Sequence, residues 1–299
     1  MFLAFTPFSY LFLLVYSFLI ITLFTIRRFY LFWVYIEILM LLFIGLSYTL
    51  FTHSYTQLML YFLIQTLASF SMLVFYTLDY SYMLYFSLFL KLGIFPFMSW
   101  YLNVLYRFPN FILFLSSTLH KLPPLILFWL VYSQEFVSFI IISVALSVLV
   151  GGYYILTILD LRYLIVVSSM ANNGFLLLSL ISGTLASFTM FYTIYVFNML
   201  FILGIIGILV KPLVVVSRSK RFQVLLIMML LLNMASLPPL PMFLAKFLII
   251  YDFFITNPIS SFWVTLILLA NVAIIASYCQ MFIKYVTQTY ANSRRYLLY

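Results

Sequence analysis

The chain has 299 residues, of which 67% are hydrophobic and only 6% are charged. Soluble domains are about half apolar and about a quarter charged, so this chain has too few polar side chains to cover a water-facing surface. The composition therefore excludes a soluble globular protein and predicts an integral membrane protein. At ~20 residues for each membrane-crossing helix, the length has room for roughly ten to twelve spans in a single domain.

Residue counts exclude several kinds of site. Cys279 is the one cysteine of the sequence, so the chain by itself holds no disulfide, structural zinc site or cysteine-ligated iron–sulfur cluster. The 8 glycines are scattered and form no phosphate-binding loop, which argues against nucleotide chemistry. No basic residue precedes Arg27, so neither a signal peptide nor an Arg-rich transit peptide is predicted. We therefore expect a bacterial protein or one made inside the organelle that uses it.

Long apolar runs separated by charges or turn residues predict about ten membrane-spanning helices. They cover residues 2–26, 29–51, 57–78, 82–102, 111–132, 136–159, 163–181, 185–209, 222–254 and 261–285. Prolines lie well inside two of these runs, Pro96 in the fourth and Pro238, Pro239 and Pro241 in the ninth. Because proline removes a backbone donor and clashes with the preceding turn, both helices are predicted to be broken.

Ten helices divide into two sets of five, and an odd number inverts the second set relative to the first. The first repeat covers about 1–135 and the second about 136–285, followed by a short tail over 286–299. Each proline-broken helix is then the fourth of its half, and these two helices carry Lys91 and Lys246. Discontinuous helices at matching places are typical of inverted-repeat transporters. The predicted fold class is an all-α polytopic membrane protein made of two inverted five-helix repeats.

Charges in the predicted loops indicate the orientation. The loops that return to the side of the N-terminus, together with the C-terminal tail, carry nine basic residues and one acid: Arg107, Asp160, Arg162, Lys211, Arg218, Lys220, Arg221, Lys284, Arg294 and Arg295. The opposite side carries two basic residues and three acids: Arg27, Arg28, Asp79, Glu135 and Asp252. The positive-inside rule places both termini on the cytoplasmic or matrix side. The net charge of +9 then follows mainly from topology, and nucleic-acid binding is not predicted.

Four charged residues lie inside the predicted spans, namely Glu37, Lys91, Lys121 and Lys246. Each costs ~2.5–3.5 kcal/mol to insert at a helix centre. A buried ion pair that only fixes packing would account for Glu37 and one lysine, but it would leave two cations without a counter-ion. A chain of protonatable groups across the membrane midplane accounts for all four, because the proton affinity of a lysine responds to desolvation and to a nearby carboxylate.

Other polar residues are weaker candidates. His120 adjoins Lys121 and would either relay a proton or make a packing hydrogen bond. Within the asparagine pair 172–173 and the serine pair 168–169, we select Asn172 and Ser168 as residues that line a hydrated path, and polar contact between helices is the alternative. The residues predicted to lie at the membrane interface, without a catalytic role, are His53, Asp79, Glu135 and Asp252.

Five short motifs follow one another around these residues. They are WVYIE over 33–37, KLGIFPF over 91–97, STLHKLPP over 117–124, SSMA followed by GF within 168–175, and LPPL leading through Phe243 to Lys246. Together they resemble the antiporter-like membrane subunits of mitochondrial NADH:ubiquinone oxidoreductase, respiratory complex I, and among them the subunit 2 sequences. The resemblance extends from Trp33 to Phe247.

The resemblance implies that Glu37 and Lys91 form the coupled ion pair of one half-channel, with Lys121 as the central relay and Lys246 as the exit-side group. It implies a subunit of a proton-translocating NADH:ubiquinone reductase in the mitochondrial inner membrane, with both termini in the matrix. FMN, iron–sulfur clusters and ubiquinone would lie on other subunits, and this chain would bind no cofactor or metal. The expected partners are the other membrane-arm and supernumerary subunits and lipids such as cardiolipin.

The sequence also departs from the family at three places. Met98 and Asn172 stand where the family often has histidine, and Met242 stands where it often has glycine, so the water path is left open. The family's final helix is not predicted because 286–299 is short and polar, and a partner subunit is expected to cover that place. Two other functions stay open. One is a stand-alone or multisubunit cation/proton antiporter, and the other is a scaffold whose lysines no longer conduct.

Overall fold

The computed structural model describes residues 7–50, 55–157, 160–182, 184–209, 226, 229–256, 262, 265–269, 271–280 and 283. Within these ranges all regular structure is helical and no strand occurs. The predicted all-α class is therefore confirmed for the described residues.

The helices with defined bounds are α1 Pro7–Leu23, α2 Phe29–Leu50, α3 Tyr55–Thr77, α4 Ser81–Leu92, α5 Met98–Leu105, α6 Asn110–Ser117, α7 Leu122–Val131, α8 Val137–Thr157, α9 Leu161–Ile181, α10 Leu185–Leu209 and α11 Pro241–Thr256. Short 3-10 helices, Leu119–Lys121 and Gln134–Phe136, precede α7 and α8. Residues 229–234, 265–269 and 271–280 are also helical.

The chain has the helices of a polytopic membrane protein. By length and hydropathy, 6 stretches of the described residues are able to span a membrane: Phe29–Leu50, Tyr55–Thr77, Asn110–Val131, Gln134–Tyr154, Arg162–Ile181 and Leu185–Ile206. Shorter apolar helices cover Ser9–Leu23, Ser81–Leu92 and Thr265–Gln280. The predicted helices 2–26, 222–254 and 261–285 extend beyond the described residues, and the tail 286–299 lies outside them. The count of ten spans and the repeat boundaries therefore stay predictions.

Helix α9 lies at the centre of the bundle. Every residue of 164–181 is buried, whereas the most apolar 18-residue windows of Phe29–Leu50 and Leu185–Ile206 are 39% and 33% buried. Helices α5, α7, α8, α10 and α11 all contact α9. Polar side chains on α9 therefore face other helices and not lipid, and each needs a partner inside the protein.

The predicted break in the fourth helix is confirmed. Helix α4 ends at Leu92 and α5 begins at Met98. Pro96 has no N–H to donate to the carbonyl of Leu92, four residues earlier. Gly93 has a φ of 69°, and a Cβ added to it would lie 2.6 Å from Tyr101 side-chain atoms. The turn therefore needs glycine both for its left-handed backbone and for the close approach of α5.

The predicted break in the ninth helix is also confirmed. The helical residues 229–234 end before a turn over 235–240 that contains Pro238 and Pro239, and α11 begins at Pro241. Ser236 in this turn has a φ of 60°. The prolines remove the donors that would continue the helix, so the chain restarts as a separate helix.

The fifth predicted span, 111–132, corresponds to the spanning stretch Asn110–Val131, but it is interrupted at a place where no break was predicted. Helix α6 ends at Ser117, a 3-10 turn covers Leu119–Lys121, and α7 follows from Leu122. Pro123 and Pro124 cannot donate to the carbonyls four residues before them, so the α-helical hydrogen bonds are interrupted there. The turn places His120 and Lys121 at a break inside the bundle.

Candidate functional site

Glu37 and Lys91, which the resemblance pairs, lie side by side. Lys91 Nζ on α4 is 3.9 Å from Glu37 Oε1 on α2, and the two side chains are 2% and 20% exposed. Neither atom has a hydrogen-bond partner within the described residues. The separation allows charge attraction but is too long for a direct hydrogen bond, so the two groups are paired without being locked together.

The end of α4 that carries Lys91 is held by side chains of three other helices. The break leaves the last carbonyls of α4 without partners from their own helix. Polar side chains from α3, α5 and α9 donate to them instead: Gln65 Nε2 to Lys91 O at 3.2 Å, Trp100 Nε1 to Leu90 O at 3.0 Å, and Asn173 Nδ2 to Leu92 O at 3.0 Å. Broken helix ends inside a membrane protein need such partners because lipid offers none.

Lys121 lies in the 3-10 turn between α6 and α7 and is buried. Its Nζ donates to Asn173 Oδ1 at 2.7 Å and to the Ser169 carbonyl at 3.4 Å. The same Nζ lies 4.9 Å from the ring centroid of Tyr101 and 5.8 Å from that of Tyr195. The ammonium is therefore surrounded by neutral oxygens and aromatic faces from α5, α9 and α10.

Lys246 lies in the second turn of α11, just after the proline turn, and is also buried. Its Nζ donates to Asn271 Oδ1 at 3.3 Å and lies 4.6 Å from the ring centroid of Phe175 on α9. Asn271 Nδ2 in turn donates to the carbonyl of Ile267 at 3.2 Å. This environment resembles that of Lys121, with one carboxamide oxygen and an aromatic face.

The acidic residues of the chain number 5 and all lie within the described residues. Among the basic side chains of that part, only Lys91 comes within 4.0 Å of one of them. Carboxamide oxygens and aromatic faces supply dipoles to Lys121 and Lys246 but no full negative charge. A packing ion pair therefore accounts for Lys91 and leaves the burial of the other two lysines unexplained.

His120 makes a packing contact in the structure. Its Nδ1 lies 3.0 Å from the Tyr16 hydroxyl, and its ring stacks on Phe43 with centroids 4.8 Å apart. The ring also lies 6.0 Å from that of Tyr61. These contacts support the packing hydrogen bond considered for His120, and its part in proton relay stays a prediction.

The polar pairs on α9 separate onto two faces, because successive helical residues are ~100° apart. Asn173 accepts from Lys121 through its side chain, whereas Ser169 does so through its backbone carbonyl, and its hydroxyl lies 2.8 Å from the Tyr101 hydroxyl. Ser168 Oγ donates to Ile165 O of its own helix at 2.9 Å. Asn172 Nδ2 is buried and has no hydrogen-bond partner among the described residues. The part of Asn172 and Ser168 in a water path stays a prediction, and the residue that binds Lys121 is Asn173.

A carboxamide also connects the two sides of the second break. Asn233 Oδ1 accepts the backbone N–H of Met242 at 3.1 Å, which joins the helix before the proline turn to the start of α11. Asn233 Nδ2 donates to Asn198 Oδ1 on α10 at 2.8 Å. Asn198 Nδ2 itself is buried without a partner in the described part of the chain.

The sequence did not single out several carboxamide residues of the site, because the candidates were found by following charges. The missed residues are Gln65, Asn198, Asn233 and Asn271. A usable signal was present, since each interrupts a long apolar run of a predicted span. A carboxamide there is costly to bury unless it forms hydrogen bonds, so it marks a point where helices must meet.

The predicted interfacial acids lie at the surface of the bundle. Asp79 and Glu135 are exposed, and Asp252 is partly buried and accepts a hydrogen bond from Thr184 Oγ1 at 2.6 Å. His53 lies outside the described residues. Met98 and Met242 are both buried. In the described ranges, no three His, Cys, Asp or Glu side chains gather to hold a metal ion.

The chain is similar to known membrane subunits in sequence and fold. It is 34% identical over 168 residues to NADH-ubiquinone oxidoreductase chain 2 of Anas capensis, covering 54% of this chain and 48% of that one. The chain thus spans about half the length of the relatives that it matches. A chain of respiratory complex I from Thermus thermophilus with bound Aureothin has the same fold, with a TM-score of 0.78, 21% identity, and coverage of 91% of this chain and 69% of that chain.

A chain of the Mrp complex from Dietzia sp. DQ12-45-1b also shares the fold, with a TM-score of 0.68, 14% identity, and coverage of 84% of this chain and 55% of that chain. The family model described as "NADH:quinone oxidoreductase/Mrp antiporter, TM" matches residues 75–275, which contain α4 to α11 and all three buried lysines. The chain therefore belongs to the transmembrane family of NADH:quinone oxidoreductase and Mrp antiporter subunits.

Proposed function

We propose that the chain is a proton-translocating subunit in the membrane arm of NADH:ubiquinone oxidoreductase. The observation that carries the proposal is the set of three buried lysines at helix breaks, of which only Lys91 has a carboxylate beside it in the described part of the chain. Buried ionisable groups in membrane spans are costly and mark ion or proton pathways. The family membership and the similarity to chain 2 relatives support the same function.

In this function, the Glu37–Lys91 pair controls whether Lys91 keeps its proton. An ammonium beside a carboxylate is favoured, and separating the two favours release of the proton to leave a neutral amine. Lys121 and Lys246 accept and release protons further along the membrane, held by Asn173 and Asn271. Moving a proton against roughly 150–200 mV needs ~4 kcal/mol. Burial and a nearby charge change the proton affinity of a lysine by that amount.

The finer topology is part of this proposal. The chain contains two inverted repeats of five helices, with the fourth helix of each broken at Pro96 and at Pro238–Pro239. The breaks found between α4 and α5 and before α11 support this arrangement. Both termini lie on the matrix side, as the excess of basic residues in the loops of that side supports.

The location and partners are also proposed. The names of the relatives support the mitochondrial inner membrane and an assembly with the other membrane-arm and supernumerary subunits of complex I. FMN, iron–sulfur clusters and ubiquinone lie on those other subunits, and lipids such as cardiolipin contact the basic loops. This chain supplies proton-relay residues and no cofactor.

The first test is mild detergent extraction of the native membrane, followed by native gel separation and mass spectrometry. We expect the chain in a very large assembly that contains flavin and iron–sulfur subunits and oxidises NADH. If the chain migrates alone or with small membrane proteins only, the proposed function is wrong.

The second test separates conduction from a scaffold role. We expect the double variant Lys121→Met/Lys246→Met to assemble but to lose NADH-driven proton uptake into membrane vesicles, measured with a pH-sensitive dye. Arg27→Gln, which removes an exposed interfacial cation, is the control and is expected to pump like the wild type. Normal pumping by the double variant would show that the lysines of this chain do not conduct.

A second candidate function is a cation/proton antiporter that works without redox subunits. Its support is the fold shared with the Mrp complex chain, together with Lys121 and Lys246, which have no carboxylate partner among the described residues. Ion-flux measurements in liposomes test it. Sodium- or potassium-driven proton movement by the purified chain, in the absence of redox subunits, would favour this function over the first.

A further inference from the structure

We propose that Asn173 is a positioning residue that connects the Lys121 ammonium to the broken end of α4, so that the Lys91 and Lys121 sites change geometry together. This inference rests on the proposed function, because it concerns how two of its relay groups are coupled. Asn173 was one of two neighbouring asparagines in the sequence, and only the structure distinguishes them.

Both ends of the Asn173 side chain are engaged. Its Oδ1 accepts from Lys121 Nζ at 2.7 Å, and its Nδ2 donates to the Leu92 carbonyl at 3.0 Å. The side chain is fully buried. An ammonium only donates and a carbonyl only accepts, so the partners fix which end of the carboxamide faces which group. Turning the amide over would break both hydrogen bonds.

The Leu92 end of this connection is part of the Lys91 site. Leu92 is the last residue of α4, and its carbonyl is free because Pro96 cannot donate to it. A displacement of Lys91 away from Glu37 moves the end of α4 and therefore moves the group that Asn173 binds. The carboxamide plane is rigid, so the displacement reaches Lys121 through one side chain.

Other contacts of Lys121 do not replace this connection. The Ser169 contact uses a backbone carbonyl at 3.4 Å, which any residue at that position would supply. Among the described residues, the titratable groups that face Lys121 from the helices around it are the Tyr101 ring on α5 and the Tyr195 ring on α10. Neither brings a negative charge, so the side chain of Asn173 is the acceptor that a substitution is able to change.

The test compares Asn173→Asp with Asn173→Ala by the pH dependence of NADH-driven proton uptake in membrane vesicles. Aspartate keeps an oxygen at Lys121 and adds a negative charge, and it loses the donor to the Leu92 carbonyl. The alkaline limit of pumping, the pH above which proton uptake is lost, is expected to rise by about one pH unit because the added charge favours the Lys121 ammonium. Alanine removes the acceptor, so this limit is expected to fall by about one pH unit. If the Asn173 side chain only filled space, the aspartate and alanine substitutions would not shift the alkaline limit in opposite directions.

The control is Ser179→Ala on the same helix. Ser179 is fully buried, and its Oγ donates only to Leu176 O of its own helix, at 2.7 Å. This variant is expected to keep the wild-type pH dependence. Asn173→Gln, which retains the carboxamide, is expected to stay closer to the wild-type limit than Asn173→Ala and serves as the comparison if alanine prevents assembly. Native gels establish that each variant is assembled before its pumping is compared.

Two negative outcomes have different meanings. If the aspartate and alanine variants both behave like Ser179→Ala while Lys121→Met abolishes pumping, Asn173 does not position Lys121 and the proposed function stands. If wild-type vesicles themselves show no NADH-driven proton uptake, the proposed function is wrong.

Discussion

The two lysines nearest to the confirmed helix breaks are held in different ways. Lys91, at the end of α4, has Glu37 Oε1 at 3.9 Å, and the carbonyls around it are bound by side chains of three helices. Lys246, after the proline turn, contacts the Asn271 oxygen at 3.3 Å and the face of Phe175, and no carboxylate lies beside it within the described residues. The first site therefore has a counter-ion and a fixed helix end, and the second has a neutral acceptor.

The difference follows from how each break is made. Gly93 turns the chain sharply and brings Tyr101 within 2.6 Å of the place where a Cβ would be. Neighbouring helices therefore pack closely around the last carbonyls of α4, which have no partner in their own helix. The prolines before α11 remove donors instead, and one carboxamide, Asn233, binds the first free N–H of the new helix. The polar groups around Lys91 stabilise a charge pair, whereas the described residues around Lys246 supply dipoles and no full negative charge.

The largest effect on stability is expected from Gly93→Ala. The added Cβ meets the Tyr101 side chain at 2.6 Å while the backbone φ is 69°, which together cost about 3 kcal/mol. Gly204→Ala is the matched control, because a Cβ there meets no atom within 4 Å. Thermal inactivation of NADH-driven pumping measures both variants. Equal loss in the two would show that the first break does not depend on this glycine.

A smaller loss is expected from Lys91→Met, which leaves Glu37 without its cation. Removing one partner of a buried pair costs ~3–5 kcal/mol, and 20% exposure of the Glu37 side chain reduces this to about 2–3 kcal/mol. Coupled pumping is expected to be lost as well. Lys246→Met removes a lysine without leaving an unpaired carboxylate, so its assembly should be closer to normal.

The double variant Glu37→Gln/Lys91→Met checks the cause of that loss. It is expected to recover thermal stability but not pumping, because neither position is left with an unpaired charge and no proton carrier is restored. If Lys246→Met lowers the amount of assembled complex on native gels as much as Lys91→Met does, the contrast between the two sites is wrong.

Asn233→Ala tests the second break and is expected to lower the free energy of unfolding by about 1–2 kcal/mol. It removes the acceptor of the Met242 N–H and the donor to Asn198 Oδ1. Asn233→Asp keeps the acceptor and is expected to lose less. Residual pumping after graded heating separates the variants, and an alanine variant as stable as the wild type would mean that the break needs no amide bridge.

The smallest effect is expected from Asp252→Asn, near the far end of α11 from the break. The partly buried carboxylate accepts one hydrogen bond from Thr184 at 2.6 Å, which an asparagine oxygen also accepts, so the expected loss is below ~1 kcal/mol. Proton uptake should be unchanged. A pumping defect in this variant would show that the Asp252 carboxylate takes part in the proton pathway near Lys246.

The sequence by itself determined the membrane class, the helix breaks at Pro96 and at Pro238–Pro239, and the buried lysines as the candidates. These features are local: hydropathy over ~20 residues gives a span, a missing N–H gives a break, and an ion inside an apolar run is costly wherever it lies. The break over 118–121 was equally local, because Pro123 and Pro124 follow it directly, but proline breaks were predicted only in the fourth and ninth helices.

Only the tertiary structure decided which polar residues meet the lysines. Asn172 and Asn173 are the same residue type at adjacent positions, and a helix rotates them ~100° apart, so the side that faces Lys121 depends on how α9 packs. The same holds for Gln65, Asn233 and Asn271, whose partners lie on other helices. A single sequence specifies that these groups need partners, but long-range packing decides which partners they obtain.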